Sequence, residues 1–147
     1  MAELFNISDA ARLGLHAALV LAREPDRRLT ISALAEKLGG SAAHLAKVLV
    51  QLERAGIVKG KTGPTGGYQL ARGAENLSLF SVYQAIEGRL VNERCPLSIP
   101  VCAGAGCPLG PYLRKLNRQV IDKMRRVKLK DIKVRIGGRN EGKKKNH

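Results

Sequence analysis

The stretch SAAHLAKVLVQLERAGIVKGKTGPTGGYQLAR, residues 41–72, decides the fold. Its first half repeats apolar residues at helical spacing. Leu45, Val48, Leu49 and Leu52 fall on one face, Ser41 stands at a capping position, and Gly56 stands where a helix stops. The second half changes period. Gly56 to Lys61 reads as a strand, Thr62-Gly63-Pro64-Thr65-Gly66-Gly67 as a turn, and Tyr68 to Ala71 as the returning strand. A helix that runs straight into a hairpin has the order of a recognition helix and its wing.

Working upstream, Ile31, Leu34, Ala35 and Leu38 give a short helix from about Thr30, stopped by Gly39-Gly40. The two helices and their glycine turn form a helix-turn-helix. A first helix spans Ser8 to Ala22, with Ser8 as cap, Asp9 in its first turn and Pro25 beyond its end. Downstream, Ser78 caps a helix whose face is Leu79, Val82, Tyr83 and Ile86, closed by Gly88. Periodicity then vanishes from Arg89 to Gly110, a segment that holds all three cysteines, Cys95, Cys102 and Cys107. Pro111 opens a long helix to about Leu129, in which Leu113, Leu116, Val120, Met124 and Val127 recur at spacings of 3, 4, 4 and 3. That seam suits either a monomer core or a two-helix dimer. With a core already supplied by four helices, the dimer is favoured.

The fold expected is mainly α with a small β-hairpin wing: a winged helix-turn-helix plus a long C-terminal dimerisation helix. Residues 1–88 form the DNA-binding domain, 89–110 the cysteine loop, and 111–133 the dimerisation helix and end segment. Residues 134–147 read as a basic, disordered tail.

Charge narrows the function. Lys and Arg number 26 against 12 Asp and Glu, a net charge of +14 that suits a polyanionic partner, most commonly nucleic acid. The excess is uneven: residues 111–147 carry 14 basic and 3 acidic groups, residues 1–110 carry 12 and 9. No apolar run is long enough for a membrane span, and Met1 to Phe5 lack the pattern of a signal peptide, so the cytoplasm is expected. An odd number of closely spaced cysteines does not read as a disulfide framework. No Trp, two Phe and three Tyr argue against base stacking on single strands. Histidine occurs at His16, His44 and His147, none near the cysteines, so no base stands beside a thiol nucleophile and no enzyme is expected.

For duplex DNA, a helix beginning at Ser41 would offer Ser41, Ala42, Ala43, His44 and Lys47 to the major groove. Lys59, Lys61 and Arg72 suit phosphates, and Thr62, Gly63, Pro64 and Thr65 make a wing tip small enough for the minor groove.

Three features stand in one order: the wing Gly63 to Arg72, a helix ending Glu87-Gly88, and a three-cysteine loop before a long helix. Together with Leu45 to Leu52 and Ala55 to Val58, they resemble the Rrf2 family of winged-helix transcriptional regulators, in its cysteine-bearing branch. The resemblance implies a homodimeric repressor of a pseudo-palindromic operator. It also implies an iron–sulfur cluster, 2Fe-2S or 4Fe-4S, on Cys95, Cys102 and Cys107, sensing nitric oxide, redox state or iron. Asp9 falls where one branch supplies a fourth ligand from the partner chain, and it equally suits a first-turn carboxylate.

The spacing here is C-x6-C-x4-C, against five residues in each gap of the best-known members, and no histidine follows the last cysteine. Thiolates are soft ligands for iron–sulfur clusters. Structural zinc would want close cysteine pairs and four ligands, which this loop lacks. The alternatives are a metal-free regulator working by thiol oxidation or partner binding, and a basic architectural DNA binder that does not need the cysteines.

Overall fold

The computed structural model describes residues 7–89 and 106–133. Helix α1 (Asp9–Arg23) is followed by α2 (Ile31–Leu38), α3 (Ala42–Arg54), strands β1 (Val58–Lys61) and β2 (Gly67–Leu70), α4 (Leu79–Glu87) and α5 (Gly110–Arg126). Four of the helices start on a hydroxyl cap. Ser8 accepts from the Ala11 N–H at 3.0 Å, Thr30 from Ala33 at 3.1 Å, Ser41 from His44 at 3.3 Å and Ser78 from Ser81 at 3.1 Å. Each cap of this kind contributes about 1 kcal/mol. Gly39, at φ +64°, ends α2 in the left-handed conformation and opens the turn into α3.

The core lies between α1, α3 and α4. Leu21, Leu34, Leu45, Val48, Leu49, Leu52 and Val82 are fully buried in it. Helices α1 and α4 approach closely because residue 14 has no side chain: a Cβ at Gly14 would run into Ile86 and come within 3.1 Å of Val48. The hairpin is antiparallel, with Val58 opposite Leu70 and Lys61 opposite Gly67. Leu29 joins it as a third, one-residue strand, exchanging bonds of 2.9 and 2.8 Å with Tyr68. Gly67 makes this possible. Its φ is +128°, and a Cβ there would lie 2.7 Å from the Leu29 carbonyl oxygen.

Two expected boundaries move. The first wing strand begins at Val58 rather than Gly56, because Gly56 takes φ +72° to turn the chain out of α3. Helix α5 ends at Arg126, short of the expected Leu129. There the chain leaves the helix to pair with the segment before α4. The Leu79 N–H donates to the Val127 carbonyl at 2.9 Å and the Leu129 N–H to the Leu77 carbonyl at 3.0 Å. Leu129 itself is 1% exposed and packs in the winged-domain core.

The rest of α5 is thinly covered. Gly110 is its one buried residue, while Tyr112 is 59% and Val120 41% exposed. Leu113, Leu116 and Met124 are half-buried. Most of the cysteine loop and the expected tail at 134–147 lie outside the described residues.

Candidate nucleic-acid interface and cysteine site

The α3 face opposite the core carries the residues expected to meet DNA. Ser41, Ala43 and Lys47 are exposed and His44 is half-buried, while Leu45, Val48 and Leu49 point inward. The hairpin continues this surface: Lys59, Lys61, Thr62, Gly63, Pro64, Thr65 and Arg72 are all exposed. The wing tip is a closed turn. The Gly66 N–H donates to the Gly63 carbonyl at 2.9 Å, and the Lys61 ammonium reaches back to the Thr65 hydroxyl at 3.4 Å. A Cβ on Gly66 would stand 2.4 Å from the Lys61 carbonyl oxygen, so the tip cannot carry a side chain there.

Helix and wing are joined by a residue the sequence does not advertise. Glu53, in the last turn of α3, accepts a hydrogen bond from the Gly60 N–H of β1 at 2.8 Å. A carboxylate near a helix C-terminus is unfavourable with respect to the helix dipole. Here it satisfies a strand-edge donor instead. Val50 was also not singled out. It is an apolar side chain 38% exposed, one turn beyond Lys47 on the free side of α3. Its one sequence signal is an apolar residue out of phase with Leu45, Val48, Leu49 and Leu52.

Of the three cysteines, Cys107 is described, and Cys95 and Cys102 lie outside the described residues. Cys107 is half-buried just before α5, and its Sγ accepts from the Gly110 N–H at 3.2 Å. The sulfur thus takes the place of the missing side-chain cap of α5, at the positive end of that helix. Asp9 opens α1, exposed, with Arg12 at 3.6 Å. Its neighbour Ser8 donates a hydrogen bond to the Glu87 carboxylate, which pins the start of α1 to the end of α4, where the cysteine loop departs. In the same turn Tyr83 is half-buried, and its phenol is held above its ordinary pKa by burial and, secondarily, by the Glu87 charge. Among the described residues no group of three or more His, Cys, Asp or Glu is gathered as a metal site.

A helix-turn-helix whose second helix leads into a hairpin, with an exposed basic surface across both, defines a winged-helix DNA-binding protein. The profile of the Rrf2 family, described as an iron-dependent transcriptional regulator, matches residues 7–135, and the chain belongs to that family. It is therefore a transcriptional regulator and not an enzyme.

The HTH-type transcriptional regulator BadM of Rhodopseudomonas palustris is 39% identical over 82 residues, covering 56% of this chain and 53% of BadM. The match thus spans about half the length of that relative. CymR of Staphylococcus aureus superposes with a TM-score of 0.69 at 25% identity, covering 89% of this chain and 100% of CymR. IscR of T. potens does so with a TM-score of 0.67 at 22% identity, covering 87% and 85%. These superpositions bear out the mainly helical winged fold with its two-stranded hairpin. No helix among the described residues is long and apolar enough to cross a membrane.

Proposed function

We propose that this chain is a homodimeric, cytoplasmic repressor that binds a pseudo-palindromic DNA operator and senses nitric oxide, redox state or iron through an iron–sulfur cluster. The observation that carries the sensor reading is Cys107. Its sulfur is half-buried at the start of α5 and holds a backbone N–H, the kind of hydrogen bond that tunes cluster thiolates. The donor set fits such a group: three thiolates within a short span, Cys95, Cys102 and Cys107, with the exposed Asp9 carboxylate, 3.6 Å from Arg12 of its own chain, as candidate fourth ligand to the partner chain. A bound cluster would supply iron reactive toward nitric oxide and oxidants, together with a one-electron redox couple.

The chain's own residues then carry the response. Cys107 is fixed to the first turn of α5, and the far end of α5 is tied to the winged core by Val127 and Leu129. Tyr112, Leu116 and Val120 would form the seam with a second α5. A change at the cysteine loop would alter how two recognition helices are spaced, and half-sites about 34–36 Å apart tolerate little change.

On the DNA, Ser41, Ala43, His44 and Lys47 would face base edges, with Val50 suited to a thymine methyl. Lys59, Lys61 and Arg72 would hold phosphates, and Thr62 to Thr65 would lie at the minor groove.

A second reading rests on the same sulfur. A partly accessible thiol at a helix N-terminus also suits a metal-free redox switch. CymR of B. subtilis, described as a global cysteine regulator, shares the fold. Purification without oxygen decides between them. Brown protein absorbing broadly at about 320–420 nm, where thiolate–iron charge transfer falls, with matching iron and sulfide, supports the cluster. Colourless protein that iron and sulfide cannot reconstitute overturns it and leaves the thiol switch.

A further inference from the structure

Helix α5 has a basic side outside the core, bordered by the seam residue Tyr112. Lys115, Arg118 and Arg126 recur at helical spacing and are all exposed. At about 100° per residue, this stripe lies roughly 80° to 160° around the helix from Leu116 and Val120, and about 40° to 120° from Tyr112. On its other flank the Arg125 guanidinium sits 4.6 Å from the Phe80 ring centroid, which marks the side turned to α4. Asp122 is the one acidic side chain of the stripe, yet none of these three cations forms an ion pair among the described residues. Exposed Lys130 and Lys133 follow the helix, and the sequence continues with Arg135, Arg139 and Lys143 to Lys145.

A row of unneutralised like charges costs a helix some stability, and here the whole C-terminal quarter repeats the sign. Both the recognition helix α3 and α5 pack against α4, so the stripe belongs to a different helix from the residues that face the operator. We propose that the stripe Lys115, Arg118 and Arg126 is a second, sequence-independent phosphate-binding face, which engages duplex DNA outside the segment under the recognition helix. This rests on the DNA-binding reading above and adds a contact to it. Charge complementarity and the continuity of positive charge into residues 134–147 favour the phosphate backbone over any apolar partner. Lysine and arginine on a helix of this kind carry no base code, so their effect is on affinity and salt dependence, not on sequence choice.

The test is the salt dependence of binding to a labelled random-sequence duplex of about 60 base pairs, long enough to pass beyond one site. The triple variant Lys115→Gln, Arg118→Gln, Arg126→Gln keeps good helix formers at exposed positions. A second variant, Lys47→Gln, Lys59→Gln, Lys61→Gln, removes charge from the reading face. At about 0.9 per phosphate neutralised, the α5 variant is expected to lower the log–log salt slope by about 2.7, with melting temperature and sedimentation unchanged. On a duplex of about 20 base pairs the loss should shrink. An unchanged slope for the α5 variant, beside a reduced one for the reading-face variant, overturns this proposal alone. An unchanged slope for both overturns the DNA-binding reading beneath it.

Discussion

The Glu53 carboxylate accepts the Gly60 backbone N–H at 2.8 Å, so the last turn of the recognition helix holds the first strand of the wing. The same carboxylate and the Tyr68 ring each lie 3.1 Å from where a Cβ on Gly60 would be. This bond adds a direct tie between helix and wing to the Leu29–Tyr68 pairing that holds the other strand.

Replacing Glu53 tests that tie. Glu53→Ala leaves the Gly60 donor to water and should weaken duplex DNA binding roughly three- to tenfold, the size of one modest hydrogen bond. Glu53→Gln retains an acceptor and should recover most of the loss. Equal weakening by both variants would show that charge, rather than positioning, is what Glu53 supplies.

Gly67 and Gly39 separate two kinds of glycine requirement. Both have positive φ, but a Cβ at Gly39 meets nothing within 4 Å, whereas at Gly67 it meets the Leu29 backbone at 2.7 Å. Gly39→Ala should cost about 1–2 kcal/mol. Gly67→Ala should cost clearly more and disrupt the Leu29–Tyr68 pairing, read by urea denaturation and by loss of amide protection at Tyr68. Equal costs would mean that backbone conformation alone matters at Gly67.

Leu129 lies beyond the end of α5, at the start of a short 3-10 helix (Leu129–Asp131), yet it is 1% exposed in the winged-domain core. Leu129→Ala should destabilise the domain by about 2–5 kcal/mol, in the range of other buried leucine truncations. A change under about 1 kcal/mol in urea denaturation would show that the end segment is not part of the cooperative core.

The exposed α5 residues predict the oligomeric state. Tyr112→Glu with Val120→Glu should convert a dimer to a monomer in sedimentation experiments while far-ultraviolet circular dichroism stays constant. A dimer that survives both charges would place the interface elsewhere.

Tyr83 gives a pH signature. In the native state its proton is held to higher pH than in the unfolded chain, where it leaves near its ordinary value of about 10. The unfolded state therefore loses the proton first. The associated stability is present below about pH 10 and falls as pH rises through the native value. Tyr83→Phe should flatten the alkaline decline in melting temperature. A decline identical to that of the parent protein would assign it to other groups.

Much of the fold was legible because its signals are local. Ser8, Ser41 and Ser78 were readable at the starts of their helices, since a hydroxyl before an apolar repeat has little else to do, and each does cap, as does Thr30, which the sequence marked only as the start of a helix. The wing followed from Gly63-Pro64-Thr65-Gly66-Gly67 between two short strands, and its exposed residues are those the sequence pointed to. Glu53 was not legible: a glutamate in a last turn looks like any solvated charge, and its partner is a main-chain N–H. Val127 was read as part of the α5 seam because its spacing fits, but the helix had already ended.

By itself, the sequence determined the helix-turn-helix, the hairpin, the cysteine loop's place before a long helix, and through them the family. Capping, periodicity and glycine conformation act within a few residues and leave a pattern that can be read directly. Tertiary structure alone decided that Leu29 becomes a third strand, that Leu129 returns to the core, and that Glu53 fixes the wing. It also decided which sides of α5 face α4 and which face solvent. These contacts join residues far apart in the chain, and their energy comes from burial and pairing that no local period records.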